Sequence, residues 1–116
     1  MEYYELIQTR ESVRNYDPGR PVPKEIIEKI LDAGRLAPSA CNLQPWKFLV
    51  ISSHKILEKV GACWIAAFNP SMLAEVIKPG EGETIFAITP LGYPKPDFKK
   101  ASKKNRKSIN EVAEFI

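Results

Sequence analysis

The sequence of 116 residues has few of the side chains that most often perform catalysis or bind metals. It contains one histidine, His54, and two cysteines, Cys41 and Cys63, at no spacing typical of a metal or redox site. It also contains no glycine-rich dinucleotide motif, no P-loop, no HExxH and no GxSxG. No catalytic acid, base or nucleophile can therefore be identified, no metal is expected, and Cys41 is expected to be a small buried thiol.

Long apolar runs are also absent. No stretch approaches the ~18 residues that a membrane-spanning helix needs. The acidic start Met1–Glu5 lacks the basic-then-apolar order of a signal peptide. With 44% hydrophobic and 27% charged residues, the composition is typical of a globular protein. We expect a single domain, residues 1–116, in the reducing environment of the cytoplasm, with no membrane partner.

Basic residues are concentrated in one segment of the chain. Residues 95–107 contain seven basic residues and one acidic residue, whereas the remainder contains ten basic and 13 acidic residues. The net charge of +3 therefore comes from this one segment, because the remainder of the chain is slightly acidic. Such a distribution favours a tail that binds one particular anion. Nucleic-acid binding is the alternative. It is not expected, because no aromatic residue lies between Lys99 and Lys107 for bases to stack on.

Apolar residues recur at helical spacing in several segments. The pattern predicts helices over Tyr4–Thr9, Lys24–Leu36, His54–Val60 and Pro70–Ile77, and a helix or an extended arm over Ile109–Ile116. Pro23 suits the first position of the second helix. Pro38 disfavours helical geometry at the preceding residue, so this helix should end near Arg35 or Leu36. Gly34 within it is expected to mark the close approach of another backbone.

Three apolar runs predict β-strands, namely Trp46–Ile51, Cys63–Phe68 and Thr84–Leu91. Together with the helices they predict the fold class α+β, with helices packed around a small central β-sheet. A chain of this length buries roughly two-thirds of its unfolded surface, so the core should be modest.

Three groups of polar residues are candidates for binding a ligand. In "RESVR", the side chains of Arg10, Ser12 and Arg14 alternate along the chain, and two guanidiniums with a hydroxyl could hold a phosphate. Lys104 and Arg106 have the same spacing in the basic tail. The alternatives are a solvated charged loop and a solvated tail.

The third group lies in "LAPSACNLQPWKF", residues 36–48, between a predicted helix and a predicted strand. Asn42 and Gln44 present amides two residues apart on a backbone stiffened by Pro38 and Pro45. Such amides could hydrogen-bond the edge of a flat heterocycle. In the alternative interpretation, they cap neighbouring backbone groups within the loop.

These segments together resemble the FMN-dependent nitroreductase family. The resemblance runs through "RESVRNYDPGRPVPKEIIEKILDAGRLAPSACNLQPWKFLVI" and resumes at "GACWIAAFNPSMLAEVIKPGEGETIFAITPLGYP". It rests on the order R-x-S-x-R, P-S-x-x-N-x-Q-P-W and P-L-G-Y-P. The resemblance implies a nitroreductase-like fold and a homodimer in which the basic segment 95–116 reaches the partner subunit.

The resemblance also implies a cofactor and an activity. Arg10, Ser12 and Arg14 would hold the FMN phosphate and ribityl end, and Lys104 and Arg106 would close on the same phosphate. The ring would be contacted, from the neighbouring subunit, by Pro38, Ser39, Asn42 and Gln44. NAD(P)H would reduce the flavin, and a nitroaromatic, quinone or similar small-molecule acceptor would oxidise it.

The chain departs from the family pattern in one place. Several tens of residues normally separate the strand like "WKFLVI" from the segment like "GACWIAAF", whereas here only Ser52–Val60 intervene. This predicts an internal deletion near Val60–Gly61, which would remove part of the core and of the dimer interface. Two interpretations stay open beside the enzyme: a flavin-binding module without turnover, and a basic-tailed nucleic-acid-binding protein with steeply salt-dependent affinity.

Overall fold

A computed structural model of the chain describes residues 2–62, 64–65, 67–100 and 104–116. The helices found there are α1 Tyr3–Thr9, α2 Lys24–Arg35, α3 His54–Ala62, α4 Pro70–Ile77 and α5 Ile109–Val112. The chain divides into two compact units. The terminal unit comprises Met1–Val22 with Gly92–Ile116, and the central unit comprises Pro23–Leu91. The single domain expected from the length stays a prediction.

Helical periodicity in the sequence located most helices to within a few residues. Helices α1 to α4 confirm the four predicted segments, whereas only the first four residues of 109–116 are helical, in α5. Pro23 is the N-cap of α2, one position before the predicted one. Helix α4 has a polar cap, because the Asn69 side chain accepts hydrogen bonds from the backbone N–H groups of Ser71 and Met72 at 3.1 and 3.2 Å.

The core of the central unit is small. Among the residues whose side chains are described, Leu73 on α4 is fully buried and Val60 on α3 is 8% exposed. Partly buried apolar residues pack against this pair: Ile51, Val76, Ile77, Ile85 and Ile88. Burial of Leu73 thus connects α3 and α4 with two segments that have no regular secondary structure, residues 46–53 and 84–91.

The predicted central sheet is not confirmed. Strands β1 Trp64–Ile65 and β2 Ala67–Phe68 form one antiparallel pair within the predicted run Cys63–Phe68, of which Cys63 and Ala66 lie outside the described residues. The predicted strands Trp46–Ile51 and Thr84–Leu91 contain no strand. Apolar composition gives a segment a buried face, but a strand also requires a neighbour at hydrogen-bonding distance along its whole length.

The close approach predicted at Gly34 involves a side chain. A Cβ on this glycine would lie 2.9 Å from Cζ of Phe48 and clash with the ring, so glycine lets Phe48 pack on α2. Elsewhere in the central unit, Lys47 Nζ donates to Glu83 Oε1 at 2.8 Å. In the described part of the chain, no helix has the length and apolar character needed to cross a membrane.

The buried position of Leu73 gives a first test of the fold. We expect Leu73→Ala to lower the free energy of unfolding by about 2–4 kcal/mol, because it leaves a cavity at the fully buried position. Met72→Ala, on the same helix at a residue 48% exposed, is the control and should change it by less than about 1 kcal/mol. Urea denaturation followed by circular dichroism measures both, and equal losses would contradict this account of the core.

The Lys47–Glu83 pair gives a pH-dependent test. Its hydrogen bond is the main cause that lowers the pKa of Glu83, and the backbone N–H bond from Gly80 adds to the effect. Because the folded pKa is the lower one, this stabilisation is present above the unfolded pKa and is lost as pH falls through the folded value. Glu83→Gln should therefore flatten the acid side of the stability–pH curve, and Glu81→Gln, in the same turn, should not.

Candidate functional site

The segment that follows α1 has one exposed and one partly covered face. Arg10 ends the helix, and its backbone N–H donates to the Leu6 carbonyl at 2.9 Å. Beyond it, exposure alternates: Arg10, Ser12 and Arg14 are exposed, whereas Glu11 and Val13 are half-buried. Alternation is the pattern of an extended chain with a single covered side. The two guanidiniums and the hydroxyl predicted from the sequence are thus all exposed to solvent.

Lys104 from the basic segment lies beside this arginine-bearing segment. Its Nζ donates a hydrogen bond to the carbonyl oxygen of Ile7, in the last turn of α1, at 2.9 Å. Partial burial lowers the pKa of Lys104, and the positive charges of Arg10 and Arg106 lower it further, partly offset by Glu11. The structure therefore brings Arg10, Lys104 and Arg106 together within the terminal unit.

These cations form a surface suited to an anion. Within the part of the chain that the structure describes, the guanidiniums of Arg10 and Arg14 have no hydrogen-bond or ion-pair partner. Arg106 donates from Nη1 to the neighbouring Asn105 carbonyl at 2.8 Å, its one hydrogen bond among the described residues. The donors of a phosphate site are therefore present and available, and an anion would offset the charge repulsion that lowers the pKa of Lys104.

The second group of predicted site residues lies in the loop after α2, in the central unit. Pro38 and Ser39 enter a single 3-10 turn, Ala40–Asn42. The hydroxyl of Ser39 accepts a hydrogen bond from the backbone N–H of Gln44 at 2.9 Å, which closes the loop. The Gln44 amide donates to the Asn42 carbonyl at 3.4 Å. Ser39 and Gln44 thus partly cap the loop, while the Asn42 side chain has no partner among the described residues.

Three residues of this loop have left-handed backbone conformations. The φ angles are 51° at Cys41, 53° at Asn42 and 49° at Gln44. Such conformations cost of order 1–3 kcal/mol each in a residue other than glycine, and they persist where the surrounding structure or a function requires them. The expectation of a buried thiol at Cys41 is wrong: this free cysteine is exposed, as are its neighbours throughout residues 40–45 of the loop.

Other parts of the structure contribute less to the site. An open groove of 280 Å³ lies between α2 and the residues after the loop, and none of the predicted site residues line it. No group of three or more possible metal ligands occurs among the described residues. No contact of residues 92–95 with another segment was predicted from the sequence, although they bond to residues 15–17, just after Arg14. The motif P-L-G-Y-P was the available signal, but the contact joins distant parts of the chain.

Comparison with known proteins agrees with these motifs over part of the chain. The model of the nitroreductase family matches residues 7–60. YdgI of Bacillus subtilis, provisionally named an NAD(P)H nitroreductase, is 40% identical over 72 residues, which cover 62% of this chain and 34% of YdgI. A Methanothermobacter thermautotrophicus protein, provisionally named an NADH dehydrogenase/NAD(P)H nitroreductase, is 47% identical over 60 residues, 52% of this chain and 31% of that protein.

The matches confirm the resemblance and also limit it. The chain spans about a third of the length of these curated relatives. The family match ends at residue 60, the position at which the sequence predicts a discontinuity. Arg10, Ser12, Arg14, Pro38, Ser39, Asn42 and Gln44 lie within the matched range, whereas Lys104 and Arg106 lie beyond it.

The left-handed conformation at Gln44 can be tested by substitution. We expect Gln44→Gly to keep or raise the free energy of unfolding, by up to about 1 kcal/mol, because glycine adopts this φ without strain. Gln8→Gly in α1 is the control and should lower stability by about 1 kcal/mol, since glycine is unfavourable in a helix. Denaturant titration of both variants decides the matter, and equal destabilisation would argue against strain in the loop.

Proposed function

Because residues 7–60 match the model of the nitroreductase family, we propose that the chain binds FMN and is an NAD(P)H-dependent oxidoreductase. Its acceptors would be nitroaromatics, quinones or similar small molecules. The observation that carries the proposal is the alternating exposure of Arg10, Ser12 and Arg14 beside Lys104. These residues offer hydrogen-bond donors for a phosphate, and they are the residues to which the family resemblance assigns this role.

In this proposal the terminal unit holds the phosphate. The guanidiniums of Arg10 and Arg14 bind the phosphate oxygens through charge-assisted hydrogen bonds, and the Ser12 hydroxyl lies on the same exposed face. Lys104 and Arg106 add positive charge beside Arg10. Favourable binding needs no large rearrangement of Arg10 and Arg14, because neither guanidinium has to leave a partner among the described residues.

The loop in the central unit of the partner subunit would contact the flavin ring, as the resemblance implies. Asn42 offers a side-chain amide without a partner in the described part of the chain, and amides can donate to and accept from the polar edge of a heterocycle. Pro38 and the Ser39–Gln44 hydrogen bond fix the loop backbone. Bound FMN would supply the hydride chemistry, while the residues of this chain hold, orient and electrostatically stabilise it.

We further propose that the chain acts as a homodimer. Large apolar side chains are exposed on α1 and α2 and along residues 48–50: Tyr3, Tyr4, Leu6, Ile7, Ile26, Ile30, Phe48, Leu49 and Val50. Exposed apolar surface of this extent is unusual for a monomer and typical of a subunit interface. The resemblance implies a homodimer, and in this proposal the partner subunit would cover these faces. We also propose a cytoplasmic location.

An absorbance spectrum of the purified protein tests the proposal. We expect flavin absorbance near one FMN per chain, and bleaching of that absorbance when NADPH or NADH is added without oxygen. FMN bound without bleaching would select a flavin-binding module without turnover. A well-folded preparation that stays colourless in added FMN would refute both.

The phosphate contacts are tested by removing two charges. We expect the double variant Arg10→Gln with Arg14→Gln to bind FMN at least about tenfold more weakly, because each charge-assisted hydrogen bond contributes roughly 1.5–3 kcal/mol. Its affinity for riboflavin, which has no phosphate, should be unchanged. The double variant Lys29→Gln with Lys55→Gln removes two exposed charges elsewhere and is the matched control. Equal weakening in both variants would show that only net charge matters.

A further inference from the structure

A contact between distant parts of the chain lies directly after the arginine-bearing segment. The backbone N–H of Asp17 donates to the Tyr93 carbonyl at 2.8 Å, and the N–H of Lys95 donates to the Asn15 carbonyl at 3.1 Å. These bonds flank an antiparallel bridge between Tyr16 and Pro94. Pro94 has no N–H to donate. None is needed at its position, because the hydrogen bonds of the bridge are made by the residues on either side of the Tyr16–Pro94 pair.

Two side-chain contacts reinforce the bridge. The ring of Tyr16 packs on the backbone of Gly92 so closely that a Cβ there would lie 2.8 Å from Cδ1 of the ring. The guanidinium of Arg20 lies 3.8 Å from the centroid of the Tyr93 ring, a cation–π contact. Residues 15–17 and 20 with residues 92–95 are called the tyrosine clamp below, and both of its parts belong to the terminal unit.

The clamp determines the backbone register two residues after Arg14. Arg10, Ser12 and Arg14 share an exposed face only while the chain stays extended in its present register, because a slip of one residue moves every side chain to the other face. At its other end the segment follows α1, where Lys104 bonds to Ile7. The arginine-bearing segment is therefore tied at both ends to the C-terminal part of the chain.

We propose that Tyr16 and Gly92 are positioning residues for the phosphate site. Their contact fixes the register in which Arg14 and Ser12 face the anion. The inference rests on the proposed function, since it assumes that the anion is the phosphate of FMN. It does not follow from the family match, because Gly92 lies outside the matched residues 7–60.

The experiment compares Tyr16→Leu, which removes the ring, with Tyr16→Phe, which keeps it. We expect Tyr16→Leu to weaken FMN binding roughly tenfold, the equivalent of one charge-assisted hydrogen bond, with riboflavin binding unchanged. Tyr16→Phe should retain the affinity of the parent chain for FMN. Gly92→Ala places a methyl group against the Tyr16 ring and so disturbs the same contact. It should also lower the ratio of FMN affinity to riboflavin affinity. Phe86→Leu, at a residue 94% exposed, is the control.

A merely structural role would give a different result. Loss of stability alone would weaken FMN and riboflavin binding together, and that outcome in Tyr16→Leu and Gly92→Ala would overturn the proposal. An unchanged affinity ratio in both variants would also overturn it. Circular dichroism identifies a variant that does not fold, and the other variant then decides.

A second measurement separates this inference from the proposed function. Amide ¹⁵N relaxation measures the order parameters of residues 12–14 in the free chain. We expect values of about 0.85 in the parent chain and in Tyr16→Phe, and values below about 0.6 in Tyr16→Leu. If the parent binds FMN no more tightly than riboflavin, the proposed phosphate site fails while these values still test the clamp. Equal order parameters in all three chains would refute the positioning role.

Discussion

Burial of Leu73 is the interaction on which the central unit depends. Leu73 is the only fully buried residue among those whose side chains are described, and side chains from α3, α4 and two irregular segments meet around it. An apolar contact of this kind is strong in proportion to the area buried but has no preferred direction. It can hold residues 46–53 and 84–91 close to the helices without setting the register that a sheet would need.

The terminal unit is stabilised in a different way. None of its described residues is buried, and its parts are joined by directional contacts instead. These are the bridge at Tyr16 and Pro94, the Arg20–Tyr93 contact and the bond from Lys104 to Ile7. Hydrogen bonds contribute only about 0.5–1.5 kcal/mol each after the loss of water. They nevertheless fix positions and orientations, which is what a segment with charged residues on one face requires.

The two groups of proposed flavin contacts, one in each unit, use different physical means. On the phosphate side, cations are gathered at the surface, where partial burial and then the positive charges of Arg10 and Arg106 lower the pKa of Lys104. On the ring side, the hydrogen bond from Gln44 to Ser39 closes a short loop in which Cys41, Asn42 and Gln44 have left-handed conformations. Repulsion between like charges and left-handed conformations in residues other than glycine are both unfavourable in the absence of a ligand.

The sequence by itself determined the local features of this protein. Helical periodicity located α1 to α4, Pro38 marked the end of α2, and the spacing of Arg10, Ser12 and Arg14 predicted a common exposed face. Each of these depends on residues within a few positions of one another. Tertiary structure decided which apolar runs pair as strands, the exposure of Cys41, and the contact of Tyr16 with Gly92. Those features join groups far apart in the chain or result from packing around them, so no short stretch of sequence contains them.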